Sequence, residues 1–139
     1  MDKNSLILIV EDDKLDAKIL LKGLAETEYC CSTHIARNGK EALDYLSDDR
    51  NKKPSLIFLD INMPVMNGIE FLSERNKNAN LTRIPTIIFT TSNKKEDKDD
   101  CYNAGIAGYM IKPIEYSEFK DLLLVVKNYW NRSKLPELN

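Results

Sequence analysis

The amino-acid sequence predicts an α/β fold built on a parallel sheet. Five short apolar runs recur along the chain, and each is followed by a segment with apolar residues at helical spacing. The runs at Leu6–Val10 and Leu56–Leu59 are apolar throughout, as strands covered on both faces are. Strands that alternate with helices imply a parallel sheet with helices on both faces, because right-handed crossovers allow little else.

The elements follow in order. Leu6–Val10 is the first strand, and Glu11, Asp12 and Asp13 stand at its end. Ala17, Leu20, Leu21 and Leu24 place a helix over about residues 15–26. Ser32–Ala36 is a weaker second strand. Asn38-Gly39 turns the chain into a second helix marked by Ala42, Leu43 and Leu46. The third strand spans 56–60, between Pro54 and Pro64, and ends on a lone carboxylate, Asp60. Asn67-Gly68 opens a third helix carrying Ile69, Phe71 and Leu72. Residues 75–83 are polar and Asn-rich and read as loop or frayed helix. Thr86–Thr90 is the fourth strand. Asn93 followed by Glu96 resembles a capping box opening a mostly charged fourth helix to Asn103. Residues 107–112 make a short fifth strand, and Phe119, Leu122, Leu123, Val126 and Trp130 mark a long fifth helix. Residues 131–139 read as a polar tail. At this size the natural strand order is 2-1-3-4-5, the flavodoxin-like arrangement with five helices on both faces.

Composition narrows the function classes. The 139 residues are 42% hydrophobic and 30% charged, with net charge -2. That suits one domain with a sizeable core, residues 5–131, and gives no electrostatic case for nucleic acid or an anionic membrane. No apolar run approaches the roughly 18 residues of a membrane span, and the N-terminus lacks the apolar segment of a signal peptide. Cys30, Cys31 and Cys101 match no zinc pattern and read as free packing thiols in a reducing cytoplasm. His34 is lone and receives no role.

The strand order brings four strand ends together. They carry Glu11 and Asp12, then Asp60, then Thr90, then Lys112. Singly, each has a plainer reading. An acidic run can satisfy a helix N-terminus, an Asp after a strand can cap its loop, and the Thr and Lys can be ordinary surface groups. Jointly, at the sheet edge where ligands bind in open α/β folds, they point to chemistry. Three crowded carboxylates call for a hard cation such as Mg²⁺. Lys112 and Thr90 suit the oxygens of a phosphoryl group, and an Asp can be its nucleophilic acceptor.

The pieces Val10-Glu11-Asp12-Asp13, Leu59-Asp60-Ile61-Asn62-Met63-Pro64 with Gly68, Phe89-Thr90-Thr91-Ser92, and Ala104-Gly105 through Gly108-Tyr109 to Lys112-Pro113 occur in that order. In them the chain resembles the receiver domain of two-component response regulators over about residues 5–131. With Tyr129-Trp130 it is similar to the single-domain, phytochrome-associated type. The resemblance implies that Asp60 is the phosphoacceptor and that Glu11, Asp12, Asp60 and the Asn62 backbone carbonyl hold Mg²⁺. Asp13 stays outside that set. Thr90 and Lys112 contact the phosphoryl group, and Tyr109 switches rotamer with Thr90. The family also places a cis bond before Pro113. The implied partner is a sensor histidine kinase, of phytochrome type for this subgroup, or a phosphotransfer protein. A homodimer through the C-terminal helix region is expected.

The rival readings are distinguishable. An aspartate-nucleophile phosphatase carries a second Asp two residues after the first as general acid, where this chain has Asn62. A flavin- or nucleotide-binding module wants a Gly- or Ser/Thr-rich phosphate loop after strand one, where this chain has Glu11-Asp12-Asp13. A receiver that binds partners without phosphorylation is the third. The expectation is a signalling domain, not an enzyme.

Overall fold

The computed structural model describes residues 4–28 and 31–138. Strands β1 (Leu6–Val10), β2 (Ser32–Ala36), β3 (Leu56–Leu59), β4 (Thr86–Thr90) and β5 (Gly108–Ile111) form one sheet in the order β2-β1-β3-β4-β5. All four pairings are parallel. Helices α1 (Lys14–Glu26), α2 (Gly39–Ser47), α3 (Gly68–Arg75), α4 (Lys95–Asn103) and α5 (Tyr116–Arg132) connect and flank it. None of the described helices is long and apolar enough to cross a membrane.

Strand periodicity divides the core into two layers. Leu8, Val10, Ile57, Leu59 and Ile88 face one side, with Ala42 and Leu46 of α2 and Phe71 and Leu72 of α3. Ile7, Ile9, Phe58, Ile87 and Phe89 face the other, with Leu20 and Leu24 of α1 and Phe119, Leu123 and Val126 of α5. β1, β3 and β4 are buried along their whole length, and their only polar residues, Thr86 and Thr90, stand at the two ends of β4.

Five sequence expectations need correction. Strands β3 and β5 are shorter than 56–60 and 107–112, because both stop one residue before the polar side chain at their ends. Asn93 does not cap α4: the N-cap is Lys94, without a side-chain bond, and Ser92 instead reaches Asp97 in the first turn. Arg75 is no loop residue but the end of α3, and it is 1% exposed. The stretch after it closes with a single 3-10 turn, Leu81–Arg83. The tail is not wholly polar, since Leu135 and Leu138 pack on the two core layers. No described peptide bond is cis, so Lys112–Pro113 is trans, the isomer that X-Pro favours by about 0.5–1 kcal/mol. Cys101 is a buried packing residue, Cys31 is half-buried, and Cys30 lies outside the described residues.

Candidate functional site

Three of the predicted residues stand one position past a strand, where the sheet's hydrogen bonds still hold them. The Glu11 N–H donates to Ala36 O at 3.0 Å, Asp60 N–H to Val10 O at 3.0 Å, and Lys112 N–H to Thr90 O at 2.8 Å. Their backbones are therefore as fixed as the strands, while their side chains leave the sheet at its carboxyl edge. Thr90 is the last residue of β4 and is fully buried.

The loop after Asp60 is shaped by a close approach. A Cβ on Gly68 would lie 2.3 Å from the Asp60 carbonyl oxygen, so only glycine fits where α3 begins. Gly68 N–H donates to Ile61 O, and Asn67 and Glu70 form a reciprocal capping box. Asp60 itself accepts from the Ile61 N–H at 2.8 Å through Oδ1. Val65, in the same loop, holds a left-handed φ of 67°, rare for a β-branched residue.

Glu11, Asp12 and Asp60 converge, each offering a carboxylate oxygen within 4.8 Å of the others. Lys112 reaches into the group. Its Nζ donates to Glu11 Oε1 at 2.5 Å and to Asp16 Oδ2 at 3.0 Å, and stands 3.7 Å from Asp60 Oδ2. Glu11 is 6% exposed. Burial, aided by the charge of Asp60, pushes its carboxyl up to about 7 against the pull of Lys112. For Lys112 burial works downward, but the bond to Glu11, the charges of Asp60 and Glu11 and the bond to Asp16 outweigh it, and the ammonium is held above its ordinary value. Behind these groups lies a cavity of about 100 Å³ whose apolar wall includes Ile9, Leu20, Phe58 and Phe89.

This donor set fits a hard cation. Octahedral Mg²⁺ places its oxygens about 3–4 Å apart, close to the observed spread. A carboxyl that burial makes harder to ionise would regain its full charge beside such an ion. Asp13 takes the plainer role: it is the N-cap of α1, accepting from the Leu15 and Asp16 N–H groups. Asn62 lies two residues past Asp60 in the β3–α3 loop, with an exposed side chain.

Thr90 and Tyr109 are joined through one residue. Ser92 N–H donates to Thr90 Oγ1 at 3.2 Å, and the Tyr109 hydroxyl donates to Ser92 O at 2.8 Å. Ser92 Oγ in turn donates to Asp97 Oδ2 at 2.5 Å, in the first turn of α4. The Thr90 hydroxyl is thus linked through Ser92 to both β5 and α4. Sequence reasoning missed Asp16 and Asp97. The signal for Asp16 was its place five residues after Glu11 on the first turn of α1. His34 sits on the edge strand β2 and stacks on Tyr45 at 4.2 Å, away from these groups.

The family model for the response regulator receiver domain matches residues 7–124. The chain is 31% identical over 137 residues to the probable methanogenesis regulatory protein FilR2 of Methanothrix harundinacea, across 94% of this chain and 88% of that one. It is 29% identical over 129 residues to the response regulator Rcp1 of Synechocystis sp., across 90% and 88% of the two chains. The crystal structure of the Mn(2+)-bound form of Rcp1 superposes with a TM-score of 0.88 at 28% identity, covering 96% of this chain and 99% of that one. The phosphorylated cyanobacterial phytochrome response regulator RcpA superposes with a TM-score of 0.89 at 27% identity, with the same coverage.

Proposed function

The chain belongs to the response regulator receiver family of two-component signalling, and on that premise we propose that Asp60 accepts a phosphoryl group from a histidine kinase or phosphotransfer protein. The observation that carries the reading is the convergence of Glu11, Asp12, Asp60 and Lys112 at one sheet edge. A carboxylate oxygen of Asp60 attacks phosphorus, and the N–P bond of the phosphoimidazole breaks. The electron pair returns to the imidazole nitrogen, which takes a proton from solvent. Glu11, Asp12, Asp60 and the Asn62 carbonyl are the proposed ligands of Mg²⁺, which neutralises charge on the phosphoryl oxygens when bound. Lys112 meets another of those oxygens, and the Thr90 hydroxyl a third.

Asn62 offers no acid or base where an aspartate-nucleophile phosphatase keeps its second Asp. The acyl phosphate then persists long enough to signal, and the domain acts as a switch more than as a catalyst. Thr90 turning to the phosphoryl group releases Ser92, Tyr109 follows, and the first turn of α4 shifts. α4 suits this part. Of its side chains only Cys101 is buried, and its N-terminus has no side-chain cap. The result is a population shift of the surface formed by α4, β5 and α5. Val125 and Tyr129, each 62% exposed, line a groove of about 200 Å³ with Met110 and Trp130 on that surface. It is the face we assign to self-association. Likeness to RcpA favours a phytochrome-type kinase as the upstream partner.

Amide exchange with beryllofluoride and Mg²⁺ tests the switch. Exchange over Lys95–Asn103 changes if the reading is right. Exchange that stays the same there, while the mimic is bound, contradicts it.

A further inference from the structure

We propose that Asp16 is a positioning residue that holds Lys112 back from Asp60 and so restrains acceptance of the phosphoryl group. The proposal rests on the reading of Asp60 given above.

Lys112 has three N–H donors. Two are spent on Glu11 and Asp16, at 2.5 and 3.0 Å, while the Asp60 carboxylate is 3.7 Å away and receives no hydrogen bond from the ammonium. The phosphoacceptor is thus the weakest of the three claimants on the lysine. Packing does not settle the matter, because Lys112 borders the cavity behind the site instead of a filled wall. Its ionic partners decide where the ammonium rests. Of these, Asp16 is the one anchored on a helix. It lies in the first turn of α1, which Asp13 ties down through the Leu15 and Asp16 N–H groups. With Glu11 committed to a metal, Asp16 is the remaining carboxylate in hydrogen-bonding reach of Lys112.

Asp16 also brings its own charge. Both carboxylates contact the same Nζ, so their nearest oxygens are under about 7 Å apart. That is within the screening length at physiological salt. An incoming phosphoryl dianion meets a negative charge at that distance and a lysine held elsewhere. Asp16 is 39% exposed, so solvent weakens the effect without removing it. Screened at physiological salt, that direct repulsion is worth less than about twofold in anion affinity, whereas bringing the ammonium from 3.7 Å to hydrogen-bonding distance at an effective dielectric of about 20–40 is worth about three- to tenfold.

The experiment measures beryllofluoride affinity, and the initial rate of phosphorylation by acetyl phosphate, in wild type, Asp16→Asn, Asp16→Glu, Lys112→Gln and the Asp16→Asn/Lys112→Gln double variant. Asn keeps an oxygen acceptor and removes the charge, and the melting temperature checks that α1 is intact. Asp16→Asn is expected to bind the mimic about three- to tenfold more tightly and to show a lower KM for acetyl phosphate. Asp16→Glu should return both towards wild type. The gain should shrink below about twofold in the Lys112→Gln background, as a coupled pair requires. An unchanged affinity in Asp16→Asn overturns the proposal. So does an equal gain with and without Lys112, which would reduce Asp16 to background charge. A wild-type protein that neither binds the mimic nor gains phosphate refutes the reading of Asp60 itself, and the role of Asp16 falls with it.

Discussion

Glu11 makes the metal-free site sensitive to pH, and the size of the effect can be worked out. Its carboxyl is raised from an ordinary 4.5 to about 7, first by burial and then by the nearby charge of Asp60. The folded protein therefore holds a proton that the unfolded chain would release. The stability this contributes is full below about pH 4.5 and is lost as pH rises through about 7. At about 1.4 kcal/mol per pH unit, the interval corresponds to roughly 3 kcal/mol. The perturbation is Glu11→Gln, which cannot ionise, and the assay is urea unfolding without metal at several pH values. The stability of wild type minus that of Glu11→Gln should fall by about 2–3 kcal/mol between pH 5 and pH 8. Saturating Mg²⁺ should remove most of that fall, because a cation favours the ionised carboxylate. A difference that does not vary with pH refutes the reasoning.

Further expectations follow from particular contacts. Arg75 is buried without a carboxylate partner among the described ion pairs, its guanidinium donating to Thr86 Oγ1, Ala104 O and Asn76 Oδ1. If it is removed, Ala104 O still accepts from Asn76 and Thr86 still donates to Ile84 O. Arg75→Ala should cost about 2–4 kcal/mol for the cavity, and Arg75→Met no more than about 1.5, read from denaturant midpoints. Equal losses would mean that the hydrogen bonds, not the filled volume, carry the effect. Gly68→Ala should lower the melting temperature and weaken Mg²⁺ binding in calorimetry together, because the new Cβ displaces the Asp60 backbone. Unchanged metal affinity would separate the loop from the site. Val65→Gly should raise stability by about 0.5–1 kcal/mol, the relief of a left-handed backbone less the added entropy of glycine. Val65 is 76% exposed, so no packing is lost, and a destabilised variant would show that the strain is absent.

The sheet and most of the pocket were legible because both depend on local patterns. A fully apolar strand betrays burial on two faces, and a polar residue just after it must stand at the sheet edge. Glu11, Asp60, Thr90 and Lys112 could be named that way. Asp16 could not, because an acid in the first turn of a helix looks like a companion to the helix dipole. Its bond to Lys112 spans ninety-six positions. Arg75 was hidden for a related reason. In the run Arg75-Asn76-Lys77-Asn78 it looks solvated, yet its acceptors come from β4 and from the end of α4. Asn93 was chosen as a cap on spacing alone, yet α4 starts one residue later, at an N-cap Lys94 with no side-chain bond. The tail misled because Leu135 and Leu138 are isolated among polar residues, and two separated leucines carry no periodicity.

The intact mass of the protein after acetyl phosphate and Mg²⁺, wild type beside Asp60→Asn, tests the central claim most directly. Wild type should gain the mass of one phosphoryl group, in a form labile to hydroxylamine, and Asp60→Asn should gain none. Equal uptake by both proteins, or none by wild type with Mg²⁺ bound, would contradict it.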